Sequence, residues 1–301
     1  YSVEYHHHRI KKYDSSGKVI NTIVSPITGN KAFLYPTKIA IDSNDNIFVL
    51  NKSYGGSIIS YDSSGNFRCM GDIGGPWDHY PRIYDDIDVD STGRVYVLAD
   101  WAQSAFYFDN NCIKSTSSFL RYGTNRPRFT GRMSVGYGFP GPLAIDENDN
   151  ALTWGRSSQY FNKWSNKRQH GYLEFAYVTD GWTNNGTATH NAVTDIETAQ
   201  NNNYIMSFSE NKIYCYNSLL RPHTGWAGSG DPRYPGRFGG YGTSSTQWRY
   251  SYGFSAKGSD IYVADYYGHR ILKLDATNCS GTHLATFGGG ESRMTIAKRV
   301  I

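Results

Sequence analysis

Short apolar segments alternate with polar turns along almost the whole chain, and the alternation recurs. Four segments, opening at Pro36, Tyr84, Gly141 and Tyr252, each contain an apolar strand, a polar turn, a second strand, a polar loop and a third strand. The strands are rich in Ile, Val, Tyr and Phe, and the turns in Asp, Asn, Ser and Gly. A weaker copy opens at Ala192. Because no segment has sustained helical periodicity, the pattern predicts an all-β protein.

The length of each repeat predicts the architecture. The turn residues Asp42, Asp90 and Asp146 are roughly 50 residues apart, and four strands in that length match one blade of a β-propeller, where radial repetition protects sheet edges. We therefore expect a single domain over residues 1–301, a six-bladed β-propeller of four-stranded antiparallel blades. The expected blades are residues 1–25 together with 292–301, then 36–73, 81–119, 140–178, 190–223 and 250–289.

The two ends of the chain read as parts of one blade. The opening SVEYHHHRIKKYD aligns with VADYYGHRILKLD, so that Glu4 matches Asp265 and Arg9 matches Arg270, while the closing MTIAKRVI has the pattern of a first strand. We expect one blade to be shared between the N- and C-termini, which closes the ring. The alternative is that a neighbouring molecule completes this blade, giving a polymer. The absence of an initiator Met indicates a processed product or a fragment.

Three of these segments resemble the NHL repeat. They are IYVADYYGHRILKLD (Ile261–Asp275), IAIDSNDNIFVLN and IDVDSTGRVYVLAD, and the resemblance extends over nearly the whole chain, most weakly at 192–217. It implies a propeller that serves as a platform for protein, RNA or glycan, and a few relatives are lyases or hydrolases. In that family the acid and arginine pairs, Asp265 with Arg270 and Glu4 with Arg9, would bridge the second and third strands and have no catalytic role.

Cysteines and sequons indicate an extracellular protein. The four cysteines form no CxxC pair, and an even number fits disulfides in an oxidising compartment, although buried free thiols are the alternative. Cys69 and Cys112 lie near the outer ends of adjacent expected blades and could bridge, which leaves Cys215 and Cys279 as further disulfide candidates. Glycosylation sequons occur at Asn51, Asn185 and Asn278. No stretch approaches the roughly 20 apolar residues of a membrane span.

Aromatic and arginine residues mark a candidate binding face. In this strand order the second-to-third-strand loops share one face with the blade-to-blade connections, and the long insertions fall there. Aromatic rings and arginines anchor interfaces, and rings also stack on sugars, although these side chains could instead pack on neighbouring loops. The candidate residues are Trp77, Tyr80, Tyr122, Arg126, Arg128, Phe129, Trp182, Trp226, Arg233, Tyr234, Arg237 and Trp248.

The sequence supports a catalytic site less well than it supports a binding face. A lyase resembling the peptide-amidating lyases would need inner-strand histidines as zinc ligands; His190 and, less well placed, His79 are candidates, but no third histidine completes a triad. The adjacent residues His6 to His8 are expected to be exposed. The DSNDN segment at Asp42 is better explained by a β-turn than by a calcium loop, because it lacks the distal Glu. We expect no cofactor.

These patterns lead to one expectation about function, with two alternatives. We expect a non-enzymatic extracellular module whose loop-rich face binds protein or glycan, or a repeating subunit of an extracellular filament or surface layer. A metal-dependent lyase is one alternative. An RNA-binding platform is the other, although a net charge of +4 over 301 residues is weak for phosphate-backbone binding.

Overall fold

Antiparallel strands form nearly all the regular structure of the computed structural model. The structure describes residues 1–24, 35–51, 56–73, 86–99, 104–114, 120–121, 140–155, 160–164, 167–169, 172–174, 193–200, 202–217, 236–288, 295–296 and 298–299. Its strands are β1 (Ser2–Glu4), β2 (Arg9–Tyr13), β3 (Val19–Val24), β4 (Pro36–Ile41), β5 (Ile47–Asn51), β6 (Ser57–Tyr61), β7 (Phe67–Asp72), β8 (Asp86–Val89), β9 (Val95–Ala99), β10 (Ser104–Phe108), β11 (Leu120–Arg121), β12 (Pro140–Ile145), β13 (Ala151–Gly155), β14 (Tyr160–Trp164), β15 (Lys167–Gln169), β16 (Tyr172–Glu174), β17 (Val193–Ala199), β18 (Asn202–Ser207), β19 (Lys212–Asn217), β20 (Gly236–Gly239), β21 (Phe254–Lys257), β22 (Asp260–Asp265), β23 (Arg270–Asp275), β24 (Thr282–Gly288), β25 (Thr295–Ile296) and β26 (Lys298–Arg299). In the described part of the chain, single-turn 3-10 helices span Tyr5–His7 and Thr277–Cys279.

The strands assemble into small meandering sheets around a ring. Blade A has the order β25-β1-β2-β3, blade B β4-β5-β6-β7 with β26 added in parallel beside β4, and blade C β8-β9-β10-β11. Blade E is β17-β18-β19-β20 and blade F is β21-β22-β23-β24, while sheet D, β12-β13-β14, lies between blades C and E. The innermost strands contact one another in the order β4, β8, β12, β17, β21 and β25, and β25 returns to β4. This is a β-propeller of four-stranded antiparallel blades.

The blade count differs from the prediction of six complete blades. The described residues complete five blades of four strands. In the predicted blade 140–178 they supply the three-stranded sheet β12-β13-β14 and a separate two-stranded sheet, β15-β16. Blade E also extends past its predicted end at residue 223, because its outer strand is β20 (Gly236–Gly239). The GRFG sequence of β20 has no apolar alternation, so only its pairing with β19 makes it a strand. The predicted pairing between the two chain ends is present, with Val3 opposite Thr295.

One turn geometry closes the blades repeatedly. Asp42 accepts the backbone N–H groups of Asn44 (2.9 Å) and Asn46 (2.8 Å) through Oδ1, and the fourth residue of the turn, Asp45, has φ 60°. Asp and Asn tolerate this left-handed conformation, as Gly does at other positions. Equivalent turns begin at Asp14, Asp62, Asp90, Asp109 and Asp146. The interpretation of DSNDN as a β-turn is therefore confirmed.

Apolar clusters and disulfides join neighbouring blades. Val3, Ile10 and Ile23 of blade A pack against Ile39 and Val49 of blade B, and all five are buried. Such inter-blade layers remove apolar surface of the small sheets from water, which is the main favourable term in folding.

The disulfides add covalent ties at the outer radius. Cys69 of β7 is bonded to Cys112 in the turn of blade C, with a Cα–Cα distance of 5.8 Å, as predicted. Cys215 of β19 is bonded to Cys279 of blade F at 6.2 Å. All four cysteines are oxidised, so the alternative of free thiols is wrong.

Candidate binding face

The antiparallel order divides the loops between two rims. The aspartate turns lie at one end of the blades, which we call the turn rim. The second-to-third-strand loops 5–8, 208–211 and 266–269 and the connection 240–253 lie at the other end, which we call the connection rim. Of the sequence-predicted candidates, the following lie outside the described residues: Trp77, Tyr80, Tyr122, Arg126, Arg128, Phe129, Trp182, Trp226, Arg233, Tyr234, the histidines His79 and His190, and the sequon residue Asn185.

Trp248 is a core residue and does not belong to the binding face. It is fully buried between blades E and F, in a cluster that includes Met206 and Phe254. Its indole ring lies against Gly239, which has φ 97° and no Cβ to block the ring. The sequence could not distinguish this packing from exposure, because the cavity for the ring is formed by two blades. Arg237 remains exposed, but it lies on β20 opposite Tyr214 and not in a loop.

Six aromatic rings that the sequence analysis did not single out form a continuous group on the connection rim. We call this group the aromatic cluster; it consists of Phe208, Tyr241, Tyr250, Tyr252, Tyr266 and Tyr267. The ring of Phe208 lies 5.0 Å from both Tyr250 and Tyr252, and Tyr250 lies 5.6 Å from Tyr241 and from Tyr267. Tyr241 is 61% exposed and Tyr267 45% exposed. The adjacent tyrosines at 266–267 and the pair at 250 and 252 were the available sequence signal.

A buried ion pair holds the aromatic cluster in place. Asp265 accepts hydrogen bonds from the backbone N–H groups of Arg249 and Gly268, both at 2.9 Å, and from Arg270 Nε at 2.8 Å. Arg270 also donates to two carbonyl oxygens of the 240–253 connection, at Ser244 and Gln247. These charge-assisted bonds fix the loop of Tyr266 and Tyr267 against the connection that bears the other tyrosines. The predicted bridging role of this pair is confirmed.

A second aromatic group forms where the loop 5–8 of blade A meets Tyr35, the residue before β4. The ring of Tyr35 lies 5.1 Å from Tyr5 and 4.6 Å from His8, and His8 Nδ1 accepts the backbone N–H of Tyr35 at 2.9 Å. Burial, together with the nearby His6 and His7, lowers the pKa of His8, which favours the neutral ring that this acceptor role requires.

The other polar predictions for blade A can be compared directly with the structure. His6 and His7 are exposed, as predicted, whereas the same prediction is wrong for His8, which is partly buried against Tyr35. In the described part of the chain no cluster of His, Cys, Asp or Glu could hold a metal ion. Glu4 is buried and bonds to Arg9, its predicted partner, and to Lys11 at 2.6 Å.

One aromatic residue of each of these two groups has an unusual backbone conformation. Tyr35 has φ 55° and Tyr250 has φ 58°, a left-handed conformation that is rare for bulky residues. Such conformations persist where the surrounding structure imposes them, and they concentrate at binding and active sites.

The inner strands carry buried charges that tie blades together. Asp86 accepts the backbone N–H of Leu143 at 2.9 Å, and Asp195 accepts that of Phe254 at 2.8 Å, in each case on the next sheet around the ring. Lys38 of blade B reaches both acids, with Nζ 3.1 Å from Asp195 and 3.8 Å from Asp86. These carboxylates bond to backbone N–H groups of the next sheet and to one ammonium group of blade B. Their contacts therefore link the inner strands of the ring to one another.

The two described sequons differ in accessibility. Asn51 ends β5 and is fully buried, with Nδ2 3.4 Å from Ser57 Oγ, so it is a wrong prediction for a glycan site. Asn278 is exposed in a 3-10 turn and remains a candidate. In the described ranges no helix is long and apolar enough to span a membrane.

Comparison with known proteins identifies the fold and no family. No family model matches the chain, and no curated protein matches it. A solved structure similar to this chain is a chain of the crystal structure of a nidogen/laminin complex, with 13% identity, a TM-score of 0.56, and coverage of 93% of this chain and 94% of that chain. The fold is a β-propeller. At this identity the likeness concerns architecture alone, and membership of the NHL family stays a prediction.

Proposed function

We propose that this chain is a non-catalytic extracellular β-propeller that binds another protein through the aromatic cluster on its connection rim. The extracellular assignment is supported by the oxidation of all four cysteines in two inter-blade disulfides. Disulfides of this kind persist in oxidising compartments and are rare in the cytosol.

The proposal includes a ring of six blades, one of which uses both ends of the chain. Two observations support it. Sheet D occupies a position in the ring of inner strands between blades C and E, and β25 pairs with β1. The NHL-like repeats and their spacing support the same count.

The observation that carries the binding role is the aromatic cluster with its two exposed tyrosines. Tyrosine supplies a large rigid contact surface with few rotatable bonds, and clustered aromatic residues dominate the energetics of protein interfaces. The Asp265–Arg270 pair holds the cluster on a disulfide-tied scaffold, so little conformational entropy is lost on binding. The similar propeller comes from a complex of two proteins, which agrees with this type of role.

The test compares exposed aromatic residues on opposite rims. The double variant Tyr241→Ala/Tyr267→Ala removes the exposed rings of the cluster, whereas the matched control Phe67→Ala removes a 43% exposed ring beside the turn rim. Binding is measured by interferometry to immobilised purified extracellular matrix proteins, laminin among them, with a glycan array in parallel.

We expect saturable binding to at least one of these proteins. The double variant should weaken it about 30-fold or more, the size of a hot-spot loss, and the control should leave it unchanged. Equal affinity of the double variant and the control, or binding to glycans only, would contradict the proposal.

A further inference from the structure

The outer strand of blade A lacks the charged side chains found on the outer strands of blades B and E. The sequence of β3 is VINTIV, in which five of six residues are β-branched and none is charged. The outer strand β7 of blade B contains Arg68 and Asp72, and β20 of blade E contains Arg237. Charged side chains on an edge strand discourage pairing with another chain, so β3 is less protected than β7 and β20. The outer strand β24 of blade F, THLATFG, also lacks Lys, Arg, Asp and Glu, but three of its seven residues are β-branched or aromatic against five β-branched residues of six in β3.

The side chains on one face of β3 are exposed to water and mostly apolar. Ile20 is 54% exposed, Val24 60% exposed, and Thr22 between them is also exposed. Ile23 and Asn21 point the other way, toward blade B, where Ile23 is buried and Asn21 Nδ2 donates to Ser64 O at 3.1 Å. One face of the strand is thus fixed to the ring, and the other is an aliphatic surface in water.

The backbone of β3 presents unpaired ladder positions along its outer edge. Within the described residues β3 is the last strand of blade A. The N–H of Thr22 donates to the side-chain oxygen Asn21 Oδ1 at 2.7 Å, so this N–H points away from β2. Pairing with another strand would replace this local bond by a backbone hydrogen bond. The alternation of an antiparallel strand gives Val24 the same outward direction. A bulge at Ile20 interrupts the register with β2, and this confines regular pairing to Asn21–Val24.

We propose that β3 is a self-association site, at which two copies of this chain pair antiparallel across a two-fold axis centred on Ile23. This register sets Thr22 of each copy opposite Val24 of the other and avoids the bulge. A second copy is the fitting occupant because it supplies an identical β-branched strand, so that no charged side chain is desolvated when the two strands pair, and a two-fold contact uses the same patch on both molecules. The strand β3 lies on the outer radius of blade A and ends at Val24, opposite Arg9 and next to the loop 5–8 of the connection rim. The site shares no residue with the aromatic cluster of blades E and F, so different variants test the two proposals.

Mass measurement tests the contact directly. Sedimentation equilibrium of the oxidised chain should show a reversible monomer–dimer equilibrium. Val24→Lys should raise the dimer dissociation constant on the order of a hundredfold, because each change acts twice across the axis and removes apolar burial on both copies. Leu284→Lys, at a 48% exposed position on the outer strand β24, is the matched control and should have no effect.

Cysteine crosslinking tests the register. Since every native cysteine is in a disulfide, Thr22→Cys with Val24→Cys introduces the only thiols. Directly opposite residues in a hydrogen-bonded pair have Cα atoms about 5.5 Å apart, within disulfide range, so mild oxidation should give a covalent dimer on a non-reducing gel. A monomer at all concentrations, a dimer insensitive to Val24→Lys, or oxidation without covalent dimer would each overturn the proposal. Circular dichroism checks that the variants remain folded.

Discussion

Replacing Lys38 by Met is the sharpest test of how the ring is held together. Lys38 is buried, and its ammonium group approaches Asp195 at 3.1 Å and Asp86 at 3.8 Å while donating to Thr194 O at 3.4 Å. These partners lie on blades C and E, so a single side chain of blade B ties three blades across the ring. Methionine keeps most of the length and apolar surface of the lysine stem, and the substitution therefore removes mainly the charge.

The expected loss in the free energy of unfolding follows from the burial of Asp86 and Asp195. Asp86 and Asp195 are both essentially inaccessible to water, so the variant leaves two carboxylates without their ammonium partner. Removing one partner of a buried ion pair costs about 3–5 kcal/mol, because the remaining charge stays desolvated. The pair Lys273–Asp260 is a matched control: its N–O distance is 2.8 Å, but both side chains are partly exposed. Lys273→Met should cost about 0–1 kcal/mol.

Urea unfolding followed by tryptophan fluorescence measures both free energies. Lys38→Met should lower the free energy of unfolding by about 3–5 kcal/mol without a change in the denaturant slope. Adding Asp195→Asn to Lys38→Met should recover part of the loss, since one buried carboxylate charge is removed. If Lys38→Met costs no more than Lys273→Met, the buried triad does not stabilise the ring and the reasoning is refuted.

Three further outcomes are expected. Reducing both disulfides, whose cysteines are 43 and 64 residues apart, should lower the free energy of unfolding by about 4 kcal/mol each, measured with and without reductant; a combined loss under 2 kcal/mol would contradict the estimate. Asp265→Ala should cost about 3 kcal/mol and speed amide hydrogen exchange in the loop 266–269, whereas unchanged exchange would show that the pair does not order it. The pKa of His8 is lowered, so its contribution to stability should fall as pH drops below about 6.5, and an NMR titration midpoint above that value would refute this.

The repeats made the architecture predictable because they are local. Each aspartate turn is encoded by a few adjacent residues, and its hydrogen bonds close within five residues, so the sequence alone identifies the strand ends. The Cys69–Cys112 bridge was predictable for a related reason, since blade order brings the outer ends of consecutive blades together. The strand β20 was not, because its pairing partner is the only cause of its extended structure.

The site residues were harder to predict because exposure depends on contacts between blades. Trp248 and Asn51 lie next to segments rich in turn residues, which suggests a surface position, yet both are fully buried. The aromatic cluster was missed for the opposite reason. Its rings come from three separated segments around Phe208, Tyr250 and Tyr266, and they meet only once the blades are stacked in register.

The seam of blade A gives the molecule a directional response to mechanical load. The ring is closed there by the short ladder of Ser2 and Val3 with Ile296 and Thr295, whereas the two disulfides are covalent. Tension applied to the chain ends would therefore load the two-residue ladders of β26 with β4 and of β25 with β1 first, and would then peel blade A, most of blade B and part of blade F. Unravelling from the C-terminal side would stop at Cys279, and from the N-terminal side at Cys69. The protein would thus extend by a limited length under force while the blades between these two stops kept their structure.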